Sequence, residues 1–337
     1  MTATSNRTNG HIVAGVFGVR ARSVLAATSL AVAAVAATPP VAADDSSPDV
    51  VVVTVNAHQR DYDAARMHEL VNGIATRTPV APDAILVDEI LANGINAMRD
   101  QLNDEMDASY AVVGASSSVK VKILFNDATM KLIGTRTWAD VCDPGRVYQV
   151  MTATQRETGE HLAIAGVHFA PSFNEGGSDD CKQQNAEEAR RQMAAAANSG
   201  VVGDFNKRYG ADYYECNPDE NGEPLPWYSA MTSPSTVDGR SYTDAVRATH
   251  YGRDMASQWS WENAQPETLC TGGTGYRRAR MDYIFASSQM TTLDAGTDQG
   301  WGSPVADGSP GCEPAPECRY SDHRFLWARL SLGADVS

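Results

Sequence analysis

Polar residues that can bind a metal ion or activate a water molecule end several apolar runs of this sequence. In the fullest example, residues 201–206, two valines and a glycine lead into Asp204, Phe205 and Asn206. Because side chains alternate along a strand, Asp204 and Asn206 project to the same side of it. A carboxylate and a carboxamide at a strand end can hold a cation or a water molecule, although the same pair also caps ordinary turns.

Other apolar runs end in the same way, at residues 50–55, 84–87, 162–167 and 281–285, and a last one follows residues 321–324. The polar residues beside these runs are Asn56, Asp88, Glu89, His168, Asp282, Asp322 and His323. Hydrolysis of a phosphoester needs hard oxygen ligands for a Mg²⁺-like ion and a group that can take a proton from water. The sequence therefore contains the residue types for metal-assisted phosphoester hydrolysis.

In order and spacing these motifs resemble those of the endonuclease/exonuclease/phosphatase superfamily, the deoxyribonuclease I-like metal-dependent phosphoesterases. The resemblance extends over about residues 50–332. It implies an α/β protein, a four-layer α-β-β-α sandwich of two packed, mostly antiparallel sheets with outer helices. The site is then expected where the strand ends of both sheets meet.

The resemblance also implies a role for each matched residue. Asn56, Glu89 and Asp322 are the implied metal ligands, with Asn56 either donating an oxygen or orienting Glu89; the implied cofactor is Mg²⁺, with Mn²⁺ and Ca²⁺ as alternatives. The implied catalytic residues are His168, Asp204, Asn206, Asp282 and His323. Among them, Asp204 and Asn206 position the attacking water and hold a phosphate oxygen. Asp282 orients His323, a general base or phosphate contact, and His168 stabilises or protonates the leaving group.

We expect Asn206, His168 and Arg280 to contact the substrate phosphate. Arg280 belongs to a basic cluster, residues 277–280, that directly precedes Asp282 in an otherwise acidic chain. A solvated loop is the alternative interpretation of this cluster. The other histidines lack the same placement and are interpreted as surface or structural residues: His58, His68, His161 and His250.

Three departures from the superfamily pattern stand out. Asp88 stands where glutamine usually precedes the metal-binding glutamate, which adds a negative charge beside the metal. No tryptophan precedes Asn56. The acid that pairs with the residue matching His168 in nuclease members is not identified, and residues 119–122 are where we would expect it.

The first 43 residues have the pattern of a secretory signal peptide. They contain three arginines, no acid, and an apolar run over residues 24–37, followed by Val41, Ala42 and Ala43 at the positions that a signal peptidase reads. A membrane anchor is the less favoured alternative, because the run is shorter than the roughly 20 apolar residues of a membrane span. We expect cleavage after about Ala43, secretion, and a single catalytic domain over residues 44–337.

The formal charge of the chain is −15, and loss of the three arginines with the signal peptide makes it −18. An acidic surface repels polyanions, so a nucleic acid or phospholipid substrate must be held by a metal ion and a local basic patch. We expect a monomer, and the sequence implies no stable protein partner.

Six cysteines lie in the mature part of the chain. An even number in a secreted protein favours disulfides over a zinc site, since no Cys-x-x-Cys pair occurs. The sequence alone leaves the connectivity open. The pairing we predict is Cys142 with Cys181, Cys216 with Cys270, and Cys312 with Cys318.

The hydrophobic periodicity alternates between strand and helix. Asp61 is the predicted cap of a helix that buries Met67, Leu70, Val71 and Ile74; two more helices are predicted around residues 95–106 and 182–197. The predicted strands between them cover residues 111–113, 119–125, 131–133, 147–154 and 162–167. Residues 207–280 show little periodicity apart from short pieces near Trp227 and Ala245, and we expect these loops to shape specificity.

The sequence thus predicts a secreted, metal-dependent phosphodiesterase, with a nuclease for extracellular DNA or RNA as the favoured form. A phospholipid or sphingomyelin phosphodiesterase is an alternative in which Trp259 and Trp261 would form an exposed membrane wedge. A phosphomonoesterase is another. A catalytically silent binding module is the alternative from a different class, disfavoured because the matched set is complete in residue type.

Overall fold

A computed structural model of the chain describes residues 49–59, 63–113, 119–171, 176–210, 223–251, 255–263, 277–300 and 320–334. The predicted signal peptide lies outside these residues. So do Cys216, Cys270, Cys312 and Cys318, and with them two of the three predicted disulfides.

The first of two six-stranded sheets holds the strands at both ends of the described chain. Its members are β1 (Asp49–Gln59), β2 (Ala84–Ile90), β3 (Tyr110–Val113), β4 (Val121–Asn126), β13 (Thr291–Thr297) and β14 (Leu326–Ser331). They lie in the order β13-β14-β1-β2-β4-β3, and only β1 and β2 run parallel. The run of four valines at residues 50–53 makes β1 a buried central strand, as β-branched residues on a two-sided buried strand should.

The second sheet consists of β5 (Met130–Ala139), β6 (Val147–Gln155), β7 (His161–His168), β8 (Ser199–Asp204), β9 (Tyr242–Asp244) and β12 (Asp282–Ser287). Its order is β5-β6-β7-β8-β12-β9, with β7 and β8 as the parallel pair. A separate two-stranded ribbon pairs β10 (Trp261–Asn263) with β11 (Arg277–Ala279).

Helices connect the two parallel pairs and cover the sheets. They are α1 (Ala64–Arg77), α2 (Ala92–Glu105), α3 (Asp179–Met193), α4 (Pro226–Thr232) and α5 (Ala245–His250), with a 3-10 turn at Met255–Ser257. The α1 helix buries the four predicted apolar residues, but its cap is Asp63, whose side chain accepts from the backbone N–H groups of Ala65 and Arg66. Asp61 lies outside the described residues. Among the described helices, none combines the length and apolar character that crossing a bilayer requires.

The main apolar core fills the space between the two sheets. It joins Val52 and Leu86 of the first sheet to Ile164, Val202 and Ile284 of the second. Two further apolar clusters lie beneath the helices on the outer faces. The predicted α-β-β-α sandwich is therefore confirmed.

The predicted Cys142–Cys181 disulfide is also confirmed, with 5.9 Å between the two Cα atoms. It joins the turn between β5 and β6 to the first turn of α3. The α3 helix starts at Asp179 with Ser178 as its cap and ends at Met193, so it begins and ends earlier than predicted. Strand β13 was not predicted, and β5 is much longer than the predicted residues 131–133.

Candidate active site

Three neighbouring strands of the second sheet each place one polar residue at the same level. The β-register pairs His168 of β7 with Asp204 of β8, and Asp204 with Asp282 of β12. All three side chains are buried. Gly203, directly before Asp204, has φ +141°, and a Cβ on it would lie 1.9 Å from the carbonyl oxygen of Val167. Only glycine fits this close approach, which explains the residue that precedes the carboxylate.

The first sheet adds its residues from the parallel pair β1 and β2. Asn56 at the end of β1 is in register with Asp88 of β2, and Glu89 follows. The Asn56 amide Nδ2 donates to Glu89 Oε1 at 3.3 Å and to Asp204 Oδ2 at 3.1 Å, so one carboxamide links the two sheets. Its oxygen accepts from the His58 backbone N–H at 3.0 Å. These bonds favour Asn56 as the residue that orients Glu89.

Strained backbone marks the same place. Among the described residues other than glycine, those with positive φ are His58 (45°), Glu89 (49°) and Asn206 (49°), and all three lie at this site. Such conformations cost about 1–3 kcal/mol each and persist where the surrounding contacts enforce them. The fold thus holds these residues in place at an energetic cost.

His323 and Asp282 form a buried hydrogen-bonded pair. His323 Nδ1 lies 2.7 Å from Asp282 Oδ2, which also accepts from the Ser260 hydroxyl at 2.7 Å. Burial lowers the pKa of His323, but the Asp282, Asp322 and Asp204 carboxylates outweigh it and raise the pKa well above its ordinary value. His323 is therefore an imidazolium at neutral pH, which suits contact with a phosphate better than proton abstraction.

Asp204 lies at the centre of the site. Its Oδ1 accepts from the Asn206 backbone N–H at 2.6 Å, and its Oδ2 accepts from the Asn206 side chain at 3.1 Å. Burial and the neighbouring Asp282 carboxylate raise the pKa of Asp204 to about 7, although His323 and these hydrogen bonds act in the opposite direction. A carboxylate with this pKa is poised to take a proton near neutral pH. The Asn206 amide also donates to the carbonyl of Phe169 at 2.9 Å, so in this structure it fixes the loop and Asp204.

His168 faces the same carboxylates from the other side. Its Nε2 lies 3.6 Å from Glu89 Oε1 and 3.9 Å from Asp204 Oδ2, too far for a hydrogen bond, and its Nδ1 has no hydrogen-bond partner among the described residues. Burial, together with Arg146 and the cationic His323, holds the pKa of His168 well below its ordinary value. Burial affects the pKa of His168 more than the nearby carboxylates do, so His168 is neutral. No pairing acid appears within the described residues, and Lys120 and Lys122 occupy the segment where we expected one.

Asp88 is a weaker acid than the sequence suggested. It is buried, and burial together with Asp204 and Asp282 raises its pKa well above the ordinary value. Its Oδ2 accepts from the backbone N–H of Asp204 at 3.2 Å. The raised pKa favours the protonated carboxyl, which is neutral like the glutamine of the superfamily pattern.

The donor set fits a divalent cation. Asp204, Asp282 and His323 each place one potential ligand atom within 4.8 Å of the others, and with His323 protonated the two carboxylates are the members of this group that can bind a cation. Glu89 Oε2 and Asp282 Oδ1 are buried without a hydrogen-bond partner among the described residues, a situation that a cation would relieve. The predicted ligands Asn56, Glu89 and Asp322 are not members of this group. Asn56 turns its amide nitrogen to Glu89 and Asp204, and Glu89 and Asp322 each have an oxygen within 4 Å of His58 Nδ1. Their carboxylates are of the kind that Mg²⁺ prefers, so they form a second set of possible ligands beside the group.

Arg280 does not occupy the predicted position. Its guanidinium is buried and forms a bidentate ion pair with Asp244 of β9, at 2.9 and 2.6 Å, and packs on the ring of Tyr283. It therefore ties β12 to β9 and is not presented to a substrate phosphate. The prediction was wrong because proximity in sequence to Asp282 does not determine which way a side chain points. The side chains of Arg277 and Arg278 lie outside the described part of the chain.

Two residues at the site were missed. His58 was interpreted as a surface or structural residue, but its Nδ1 lies 3.8 Å from Glu89 Oε2 and 3.5 Å from Asp322 Oδ1, between two predicted metal ligands. Lys182 of α3 is buried and donates to the carbonyls of Ala170, Phe205 and Asn206 at 2.7 to 3.0 Å. The position of His58, two residues after Asn56, was the signal in the sequence that could have identified it. The sequence contains no such signal for Lys182, since a lysine on a helix usually faces water.

No family model matches the sequence, and no curated protein matches it significantly. Solved structures match in fold. An endonuclease/exonuclease/phosphatase from Bacteroides vulgatus is 16% identical with a TM-score of 0.56, and the alignment covers 85% of this chain and 99% of that one. D. rerio TDP2 complexed with single-strand DNA product is 15% identical (TM-score 0.55; 84% and 98% covered). The human Nocturnin catalytic domain with bound sulfate is 14% identical (TM-score 0.55; 84% and 94% covered). The chain therefore has the endonuclease/exonuclease/phosphatase fold, as its motifs predicted.

Proposed function

We propose that this chain is a divalent-metal-dependent phosphodiester hydrolase that acts on nucleic acid. The observation that carries the proposal is the Asp282–His323 pair facing Asp204, beside two buried carboxylate oxygens for which the described part of the chain supplies no hydrogen-bond donor. The single-strand DNA product in the structure of D. rerio TDP2, which has the same fold, supports a nucleic acid as substrate.

Each proposed role follows from a charge state and a contact. Asp204, with a pKa of about 7, takes the proton of the attacking water, and its hydrogen bonds to Asn206 hold it in place. The His323 imidazolium, fixed by Asp282, binds a phosphoryl oxygen. Neutral His168 donates a hydrogen bond to the leaving oxygen. A divalent cation bound near Glu89 and Asp322 would neutralise charge on the phosphoryl group. Mg²⁺ is the cofactor we propose, with Mn²⁺ and Ca²⁺ as alternatives.

The test is turnover of plasmid DNA, RNA, sphingomyelin and bis(p-nitrophenyl) phosphate by the purified protein, with Mg²⁺ and with EDTA. We expect EDTA-sensitive turnover of the diester and of nucleic acid. His323→Ala should lower kcat by about 10²- to 10⁴-fold. The matched control is His161→Ala, an exposed histidine at the opposite end of β7, which should change kcat less than about twofold. Failure to turn over any of these phosphoesters would contradict the proposal and favour a binding module.

The lipid alternative loses the observation that favoured it. Trp259 is buried, with the Arg324 guanidinium 3.3 Å from its ring centroid, and Trp261 is half-buried in β10. The exposed pair of indoles that this alternative requires is therefore not found, because Trp259 is covered. Turnover of sphingomyelin without turnover of nucleic acid would restore this alternative.

We also propose that the protein is exported. The signal-like leader supports export, and so does the Cys142–Cys181 disulfide, since such bonds persist in oxidising compartments. Expression of the full chain in a secreting host should release protein whose N-terminal sequence starts at about Asp44. Retention of an intact leader on intracellular protein would contradict export.

A further inference from the structure

A cavity of about 400 Å³ opens directly beside the proposed reaction centre. It is bordered by Glu89 and His168 of that centre and extends away from them. Its lining beyond them includes apolar residues, here called the apolar wall (Leu91, Val119 and Pro171), and two basic residues, here called the cationic wall (Lys120 and Arg146). Lys122 also belongs to the lining but is buried, and its ammonium donates to the carbonyl of Val119 at 2.6 Å. This volume lies within the usual range of small-molecule sites, roughly 300–1,000 Å³.

The cationic wall contrasts with the rest of the chain, whose formal charge is −15. Lys120 is exposed and forms no ion pair within 4 Å among the described residues. Arg146 donates to the backbone carbonyl of His168 at 2.9 Å, and its nearest carboxylate, Asp143, is 3.8 Å away. Both cations lie close enough to act on His168, since they contribute to lowering its pKa after burial. Positive charge is therefore placed beside the expected position of the scissile phosphate.

Leu91 of the apolar wall faces solvent. It lies directly after β2 and is 49% exposed, which is unusual for a large apolar side chain. A planar base stacked on Leu91 would cover it. The cations of the same cavity would then contact a phosphate of the same nucleotide.

We propose that this cavity is the subsite for the nucleotide adjoining the scissile bond, with the base against Leu91 and the flanking phosphate against Lys120 and Arg146. The inference rests on the proposed function, because it places the scissile phosphate among Glu89, Asp204 and His323. It requires a substrate with phosphates in series, a polynucleotide. A choline lipid, which carries one phosphate and a cationic head group, would be repelled by the same wall.

The test compares two substrates of the purified protein: bis(p-nitrophenyl) phosphate, which has no flanking phosphate, and a labelled tetranucleotide. Lys120→Ala should lower kcat/KM for the tetranucleotide, chiefly through KM, about tenfold more than it lowers kcat/KM for the simple diester. The slope of log kcat/KM against log salt should become shallower by about one for the tetranucleotide only. Lys131→Ala, an exposed lysine on β5, is the matched control and should change neither substrate.

Leu91→Glu tests the other wall without altering a basic residue. It should lower kcat/KM for the tetranucleotide at least as much as Lys120→Ala does. Equal losses on both substrates, or unchanged tetranucleotide kinetics in both variants, would overturn the subsite while leaving the hydrolase proposal intact. If the unaltered protein turns over neither substrate with Mg²⁺ or Mn²⁺, the proposed function itself fails.

Discussion

At the scale of single residues, the charge state of a buried carboxyl decides how Asp88 should be understood. Because burial and two neighbouring carboxylates raise its pKa and favour the protonated form, its replacement by an amide should change little. We expect Asp88→Asn to retain metal affinity and kcat within about threefold. Isothermal titration with Mn²⁺ and steady-state kinetics on bis(p-nitrophenyl) phosphate would measure both. A tenfold loss of metal affinity would show that Asp88 binds as a carboxylate.

The pKa of Asp204 sets an expected pH dependence. The proton that blocks its action as a base is lost near pH 7 in the metal-free protein, and a bound cation favours the ionised carboxylate. For the metal-loaded enzyme, kcat/KM should therefore rise about tenfold per pH unit and level off at or below pH 7. Unfolded aspartate has already lost its proton at about pH 4. Between these values the folded state binds more protons, so this group makes the metal-free fold less stable as pH rises.

A cation that binds the ionised site should reverse this loss. The increase in Tm caused by Mg²⁺ or Mn²⁺ should therefore be larger at pH 8 than at pH 6, as thermal denaturation with and without EDTA would show. The same increase at both values would argue against Asp204 as part of the cation site.

His58 gives the site a nitrogen donor between Glu89 and Asp322. Imidazole is a better ligand for Mn²⁺ than for Mg²⁺, so His58 should favour Mn²⁺. We expect His58→Ala to weaken Mn²⁺ binding about tenfold and Mg²⁺ binding less than about twofold, measured by calorimetry. His161→Ala, another exposed histidine, is the control and should leave the ratio unchanged. Equal weakening for both metals would mean that His58 acts only through the local backbone.

At the scale of elements, α3 holds the loop that carries Asn206. The Lys182 ammonium donates three hydrogen bonds to backbone carbonyls in the segments that follow β7 and β8. Burial lowers the pKa of Lys182 to about 7. In Lys182→Met these carbonyls lose their donor, and the free energy of unfolding should fall by about 1–3 kcal/mol. Because Asn206 and Asp204 then lose their exact position, kcat should fall at least tenfold with KM nearly unchanged. Urea denaturation and steady-state kinetics would measure these effects.

Lys131→Met, on the exposed face of β5, is the control for the loss of a lysine. An unchanged kcat in a destabilised Lys182→Met variant would limit Lys182 to a structural role. The same would follow if kcat and KM changed together.

Whether a strand could be predicted from the sequence depended on its place in the sheet. Valine-rich central strands such as β1 and β8 were predictable because burial on both faces leaves a continuous apolar run. Strand β13 and most of β5 were not, since they lie at sheet edges and their apolar and polar residues do not alternate strictly. The order of the motifs was enough to predict that the matched residues meet at one site. It could not identify Lys182 or exclude Arg280, because side-chain direction depends on contacts made across the fold.

At the scale of the whole molecule, the Cys142–Cys181 disulfide lies where it can stabilise the candidate active site. It joins the turn before β6 to the first turn of α3, the helix that carries Lys182 one residue later. Closing a loop across a sequence separation of 39 residues restricts the unfolded chain, which corresponds to about 2–4 kcal/mol of stability.

The double variant Cys142→Ser/Cys181→Ser should therefore unfold at a lower urea concentration. Its kcat should fall as well, because the helix that holds the Asn206 loop is no longer tied at its start. Serine at both positions leaves the remaining cysteines intact, unlike a reductant, so the effect belongs to this bond. A variant that loses stability but keeps full kcat would show that the disulfide does not affect the active site. Lys182 would then hold the loop without it.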